Sequence, residues 1–265
     1  MKILLARVNW ILSAQFGIDL RKCFKSLVGI PRFMRDFIRF KSHYTGKMGL
    51  VPCLHDWHEE GGATKSEYFW QDLLIARKIF AGNPVRHVDI GSRVDGFVAQ
   101  VASFRSIEVF DVRPITTQIP GVEFKQADFM MPMLELNGYC DSLSCLHALE
   151  HFGLGRYGDP ISQRGFELGL ANMAKLLSNN GVFYLSVPIG IERVEFNANR
   201  VFDPRTILSV AWSNSLIVDE LIVIKSGGMV ENVLLEDEVL EKYAAQRYNL
   251  GIFIFSKYVD PLEVH

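Results

Sequence analysis

The sequence predicts an α/β fold, a mostly parallel sheet with helices on its faces and an N-terminal helical extension in front of it. Three observations carry this. From residue 66 on, short apolar runs alternate with amphipathic ones, the order that lays down parallel strands through crossover helices. The first two apolar runs, residues 85–90 and 107–111, flank a turn holding Gly91 and Gly96 and then a helical pattern, which makes a βαβ unit. Composition, at 49% hydrophobic and 22% charged, supports a sizeable core.

Residues 1–42 read as two or three amphipathic helices. Phe33, Met34, Phe37, Ile38 and Phe40 recur at helical spacing, with Arg32, Arg35, Arg39 and Lys41 among them. Two uses stay open for this segment: a helical cap packed on the body, or a peripheral contact with an anionic membrane surface or polyanionic acceptor. Residues 43–65 are loop-like and end near Gly61-Gly62, which suits a hinged lid over a pocket. The run from His55 to Glu60 has metal-ligand chemistry but no fixed frame, so it reads as a solvated loop and no metal is expected. Residues 1–65 thus form a basic extension with a lid, and residues 66–265 the main domain.

Ser66 caps a helix over 66–80, which Asn83-Pro84 ends; Tyr68, Trp70 and Gln71 on it are candidates to line a pocket. Strands follow at 85–90 and 107–111. Residues 121–129 hold a third strand and the acid after it, and 139–146 form a fourth. A helix over 165–177 stops at Asn179-Asn180-Gly181, and a fifth strand covers 182–188. Asp203 caps a helix with Pro204 in its first position. Two β-rich runs, 216–224 and 250–258, enclose a helix over 236–248.

The formal net charge of −2 conceals a split. Residues 1–42 carry nine Lys/Arg against Asp19 and Asp36, a net of +7, which leaves −9 for the remainder. The main domain is therefore a poor nucleic-acid surface. Cys23, Cys53, Cys140 and Cys145 show neither C-x-x-C nor zinc spacing, which fits reduced thiols in a cytosolic protein. No apolar run has the length to cross a bilayer, and Arg7, Asn9 and Gln15 interrupt the pattern a signal peptide needs. The expected location is cytoplasmic, with peripheral membrane contact through residues 1–42 left open, as is a homo-oligomer.

Parallel sheets bind ligands at the carboxyl ends of their strands, and here three acids stand at such ends: Asp89, Asp111 and Asp128. Gly91 lets a ligand approach the backbone. Asp111 closes the second strand at the distance past the turn where ribose hydroxyls are held. The dinucleotide pattern G-x-G-x-x-G is missing, since Arg93 takes its middle position. A carboxylate before the turn suits a cationic ligand without phosphate, so S-adenosylmethionine fits better than a nicotinamide dinucleotide. The fourth strand runs into His147-Ala148-Leu149-Glu150-His151, beside the first strand's tip. Imidazole titrates near neutrality and is the common general base, so His147, Glu150 and His151 are the candidate catalytic groups. Asp141 and Asp159 are located to hold a cation near an acceptor.

Asp89-x-Gly91, Asp111 and Asp128, followed by SCLHALEHF and LANMAKLLSNNGVFYLSVP, resemble the Rossmann-like, seven-stranded class I S-adenosylmethionine-dependent methyltransferases over roughly residues 83–258. DIGSRVDGFVAQV and HALEHFGLGRYGDP resemble an uncharacterised family, a domain of unknown function, found in bacterial surface-polysaccharide gene clusters. The resemblance implies that Asp89, Gly91 and Ser92, in a turn that Gly96 closes, lie near the methionine part of the cofactor. It implies Asp111 on the ribose and Asp128 with Phe129 at the adenine. The reaction implied is methyl transfer, expected as O-methylation of a sugar or other small molecule in surface-polysaccharide biosynthesis. The turn departs from the family, with one residue more between its glycines. A second class of function stays open, an inactive methyltransferase-like binding or scaffold module; the three retained acids argue against it.

Overall fold

The computed structural model describes residues 2–258, with side chains from residue 8 on. The chain divides into two units, residues 1–63 and 64–265. In the first, α1 (Lys2–Phe16) and α2 (Leu20–Lys41) are the two helices. Gly17, at φ +69°, turns the chain off α1, and its N–H and that of Ile18 donate to the carbonyls of Ser13 and Leu12, both at 3.1 Å. Asp19 then starts α2, its carboxylate accepting from the backbone N–H groups of Arg21 (2.8 Å) and Lys22 (3.3 Å). After α2 the unit holds a short helical turn, Asp56–His58, where the Arg32 guanidinium lies 3.1 Å from the Trp57 ring centre.

The second unit runs α3 (Glu67–Gly82), β1 (His87–Ile90), α4 (Ala99–Ala102), β2 (Ile107–Asp111), β3 (Val122–Gln126) and β4 (Cys140–Leu146). Then come α5 (Gly165–Leu176), β5 (Leu177–Ile189), the hairpin β6 (Arg193–Glu195) and β7 (Asn199–Val201), and α6 (Pro204–Trp212). β8 (Leu216–Lys225), β9 (Met229–Val233), α7 (Asp237–Ala244) and β10 (Asn249–Lys257) complete it. The sheet order is β3-β2-β1-β4-β5-β10-β8-β9. β1 to β5 pair in parallel; β10 is antiparallel to β5 and β8, so β8 runs with the parallel set. The mostly parallel, Rossmann-like sheet is as expected, and β9 adds an eighth strand antiparallel to β8 at the edge.

Burial on both faces explains the near-continuous apolar strands. Val88, Leu143, Val187 and Phe253 pack with Leu170 and Met173 of α5, Ile207 of α6 and Leu240 of α7. On the other face Val109, Leu146, Ile222 and Ile252 meet Ile75 and Ile79 of α3, and Phe97 and Val101. Each such side chain contributes about 1.5–3 kcal/mol. Two local expectations change. Asn179-Asn180-Gly181 is not a connection: β5 already pairs at Leu177 with Cys140, and pairing resumes at Val182 with Ser142, so the polar residues bulge out of the strand. The helix after the glycine turn opens as a π turn, Val94–Val98, with the Val98 N–H donating to the Arg93 carbonyl at 3.3 Å. That wider turn takes up the residue added between Gly91 and Gly96.

Candidate active site

The turn after β1 is built around Asp89, and the side chain does not face a ligand. Asp89 is fully buried. Its carboxylate lies within hydrogen-bond distance of the Ser92 N–H (3.0 Å), the Ser92 hydroxyl (2.6 Å) and the Ser144 hydroxyl (2.5 Å). Ser92 is equally buried, and its Oγ accepts from the Leu146 N–H at 3.0 Å. Both residues therefore tie the turn to β4 rather than line a pocket, which corrects the expectation that they touch a cofactor. Gly96 is also structural: a Cβ there would lie 2.6 Å from the Asp72 carboxylate of α3. Gly91 is required by the turn itself. Its φ of +72° is a left-handed conformation, and a Cβ would stand 3.0 Å from that of Ala148. Arg93 points outward, pairing with exposed Asp95 at 2.9 Å and lying 5.3 Å from the Tyr68 ring.

At the tip of β2, Asp111 is held by a residue the sequence did not single out. Arg113 grips both carboxylate oxygens (Nε 3.0 Å, Nη2 2.6 Å) and adds its backbone N–H at 2.8 Å. Its guanidinium lies 4.3 Å from the Tyr157 ring centre. Past β3, Asp128 is half-buried and one oxygen accepts from the Met130 N–H at 2.9 Å, leaving the other for a ligand. Phe129 is buried edge-on to Phe110, with ring centres 5.4 Å apart. It belongs to the core, which corrects its expected place against an adenine.

The structure does bring His147, Glu150 and His151 together at the end of β4. His147 adopts φ +54°, an uncommon state for a residue with a side chain, and its N–H donates to the carbonyl (3.0 Å) and hydroxyl (3.1 Å) of Ser186. The hydroxyl of Ser186 in turn donates to Gln71. His147 Nδ1 lies 3.1 Å from Glu150 Oε1, Nε2 lies 3.6 Å from Glu67, and the Tyr68 ring centre is 4.6 Å away. Burial works against charge on both partners, but their mutual contact outweighs it, raising the imidazole above its usual value and lowering the Glu150 carboxyl. The contact lacks the directionality of a hydrogen bond. Both Glu150 oxygens, on a residue only 1% exposed, and His147 Nε2 are left without a hydrogen-bond partner.

His151 differs. Burial lowers its pKa, so it is neutral near pH 7. Nδ1 lies 2.7 Å from the Ala198 carbonyl, which fixes the proton there and leaves Nε2 with a free lone pair, 3.7 Å from Glu150. Of the two imidazoles, His151 is the one able to accept a proton.

Arg200 of β7 holds this region in place. It is buried without an acid partner, and donates to the carbonyls of Phe152 (2.6 Å), Glu150 and Ser162 (3.3 Å each). Tyr248 donates to Glu67 at 2.6 Å. Nothing in the local sequence marks Arg200, Glu67 or Tyr248, since their partners are distant in the chain. Asp141 and Asp159 are not cation ligands here: they accept backbone N–H groups from Val85 and Arg86, and from Gly153 and Gly155. Among the described residues, His55, Asp56 and Glu59 of the first unit place ligand atoms within 4.8 Å of one another; Asp56 and Glu59 are exposed and no further feature marks a bound ion.

A family model described as "Caenorhabditis protein of unknown function, DUF268" matches residues 119–214. No curated protein matches the sequence. Among solved structures, the [4+2]-cyclase SpnF shares 14% identity at a TM-score of 0.52, covering 71% of this chain and 81% of its own. The N-methyltransferase NodS from Bradyrhizobium japonicum WM9, solved with S-adenosyl-L-homocysteine, shares 13% identity at 0.50, covering 77% of this chain and 92% of its own. The strand order, the glycine turn after β1 and these structures agree that the chain has the class I methyltransferase fold.

Proposed function

We propose that the protein is an S-adenosylmethionine-dependent methyltransferase acting on the hydroxyl of a small molecule. The observation that carries this is the pairing of a neutral His151 with a buried, unsatisfied Glu150 at the tip of β4, next to the Gly91 turn. The cofactor fits the strand tips: Gly91 makes the turn beside them, Asp111 and one oxygen of Asp128 offer acceptors, and Arg113, 44% exposed, is free to swing off Asp111. Bound there, the cofactor would supply an electrophilic methyl group on a cationic sulfur. Asp111 would hold the ribose and Asp128 the adenine, while Asp89 and Ser92 shape the turn behind them. His151 Nε2 accepts the acceptor hydroxyl's proton, and Nδ1 stays fixed on Ala198. Glu150, 3.7 Å from Nε2, would stabilise the imidazolium that forms, and His147 balances its charge. The rest of the catalysis is positioning. A saccharide hydroxyl in surface-polysaccharide biosynthesis is the first acceptor to test, in keeping with the family resemblance.

Calorimetry with S-adenosylhomocysteine tests cofactor binding directly. Turnover on a panel of sugars and sugar nucleotides then tests the acceptor, and His151→Gln should lower it by about 100- to 10,000-fold with binding intact. Absence of binding in the wild-type protein refutes the proposal. One observation favours a non-transferring module: Arg113 occupies the carboxylate that the ribose would need. Binding that appears only in Arg113→Gln would decide for that second reading.

A further inference from the structure

Helix α2 carries a face that the fold of its own unit does not use. None of its residues is buried. Leu20, Phe24, Leu27, Pro31, Met34 and Ile38 recur at alternating steps of four and three, which places them in one stripe along the helix. Phe24 is 68%, Leu27 66% and Ile38 63% exposed. The opposite side, with Ser26, Gly29 and Phe33, is the less exposed one, so the stripe is not the packing face. Along one flank, Arg21, Arg32, Arg35 and Arg39 form a parallel row, again at helical spacing, with Arg32 (3.4 Å) and Arg35 (3.1 Å) both reaching Asp36. The helix holds seven Lys/Arg against Asp36 alone, a net of +6. In α1, Trp10 and Phe16 are exposed as well.

We propose that α2 lies on an anionic membrane surface, its apolar stripe among the acyl chains and its arginine row at the lipid phosphates. Charge selects this partner. Two copies of the helix packed stripe to stripe would bring +6 against +6 at close range, and a neutral partner would meet neither Arg21 nor Arg39 with an opposite charge. An anionic bilayer satisfies both features together, since stable interfacial binding combines buried apolar area with attraction to acidic headgroups. Among the described residues no helix is long and apolar enough to cross a membrane, so the contact is a peripheral one. It stands independently of the methyl-transfer reading.

The test uses the full chain with extruded vesicles of phosphatidylcholine, with and without phosphatidylserine, read by sedimentation. Binding is expected to the phosphatidylserine vesicles and to weaken as salt shortens the screening length. Arg21→Gln with Arg39→Gln should weaken it about thirtyfold, from about one lipid-surface interaction per charge removed. Phe24→Glu with Leu27→Glu should abolish it. All four positions are solvent-facing, so far-ultraviolet circular dichroism is expected to match wild type in both variants. Failure to bind acidic vesicles at low salt overturns the proposal, as does equal binding to neutral ones. Self-association that Phe24→Glu with Leu27→Glu removes, without vesicle binding, would overturn it too and make the stripe a contact between copies.

Discussion

Replacing Asp89 by asparagine separates two buried titrations that the wild-type protein sets against each other. Burial raises the Asp89 carboxyl from 3.8 to about 7, against hydrogen bonds from Ser144 and Ser92 that pull it down. Burial also lowers the neighbouring His87 imidazole from 6.5 to about 3, with Arg105 acting in the same direction. Ser144 Oγ, 2.5 Å from Asp89 Oδ1 and 3.2 Å from His87 Nε2, bridges the two groups, and His87 Nδ1 lies 2.8 Å from Ser142 Oγ. From about pH 4 to about pH 6.5 the folded chain keeps the Asp89 proton that the unfolded chain has lost, so this group makes stability fall as pH rises. Over the same window the unfolded chain keeps the His87 proton that the folded chain lacks, so this group makes stability rise. Each slope is about 1.4 kcal/mol per pH unit, and the two cancel. Asp89→Asn removes the falling limb. The stability of the variant relative to wild type should then climb by about 1.4 kcal/mol per unit between about pH 4 and about pH 7, some 4 kcal/mol in all at most. Urea unfolding of both proteins, followed by circular dichroism across this range, measures the difference. A difference that stays flat would refute the protonated, structural Asp89.

Three further outcomes are expected. Arg113→Gln should tighten S-adenosylhomocysteine binding about fivefold in calorimetry, because the half-exposed ion pair on Asp111 is worth about 1 kcal/mol after solvent screening. Gly91→Ala should cost about 1–3 kcal/mol, visible as a lower Tm, since the new methyl group faces Ala148 from a left-handed backbone. Arg200→Met leaves buried carbonyls of residues 150–162 unpaired; a loss of about 2–4 kcal/mol and faster limited proteolysis in that segment should follow.

The sheet could be read from the sequence because strands buried on both faces leave unbroken apolar runs, as in residues 85–90 and 139–146. β9 escaped that reading, as its half-exposed residues Met229 to Val233 resemble a polar loop. In the site, the cluster of His147, Glu150 and His151 was legible, since its members sit within one turn of chain at a strand end. Direction of side chains was not. Asp89 meets a serine because β1 pairs with β4 in a register that sets it opposite Ser144, which a local reading of residues 85–96 does not give. Phe129 follows an acid at a strand tip, yet Phe110 draws it inward. Nothing in the residues around Arg113 marks it as the partner of Asp111.

The buried guanidinium of β7 makes the small hairpin a handle on the His147, Glu150 and His151 cluster. Arg200 grasps the backbone on both sides of the glycine-studded segment, and Ala198 in the same hairpin sets the tautomer of His151. Changes in hairpin length or sequence would thus be felt at the His151 ring while the eight strands of the main sheet stay in place.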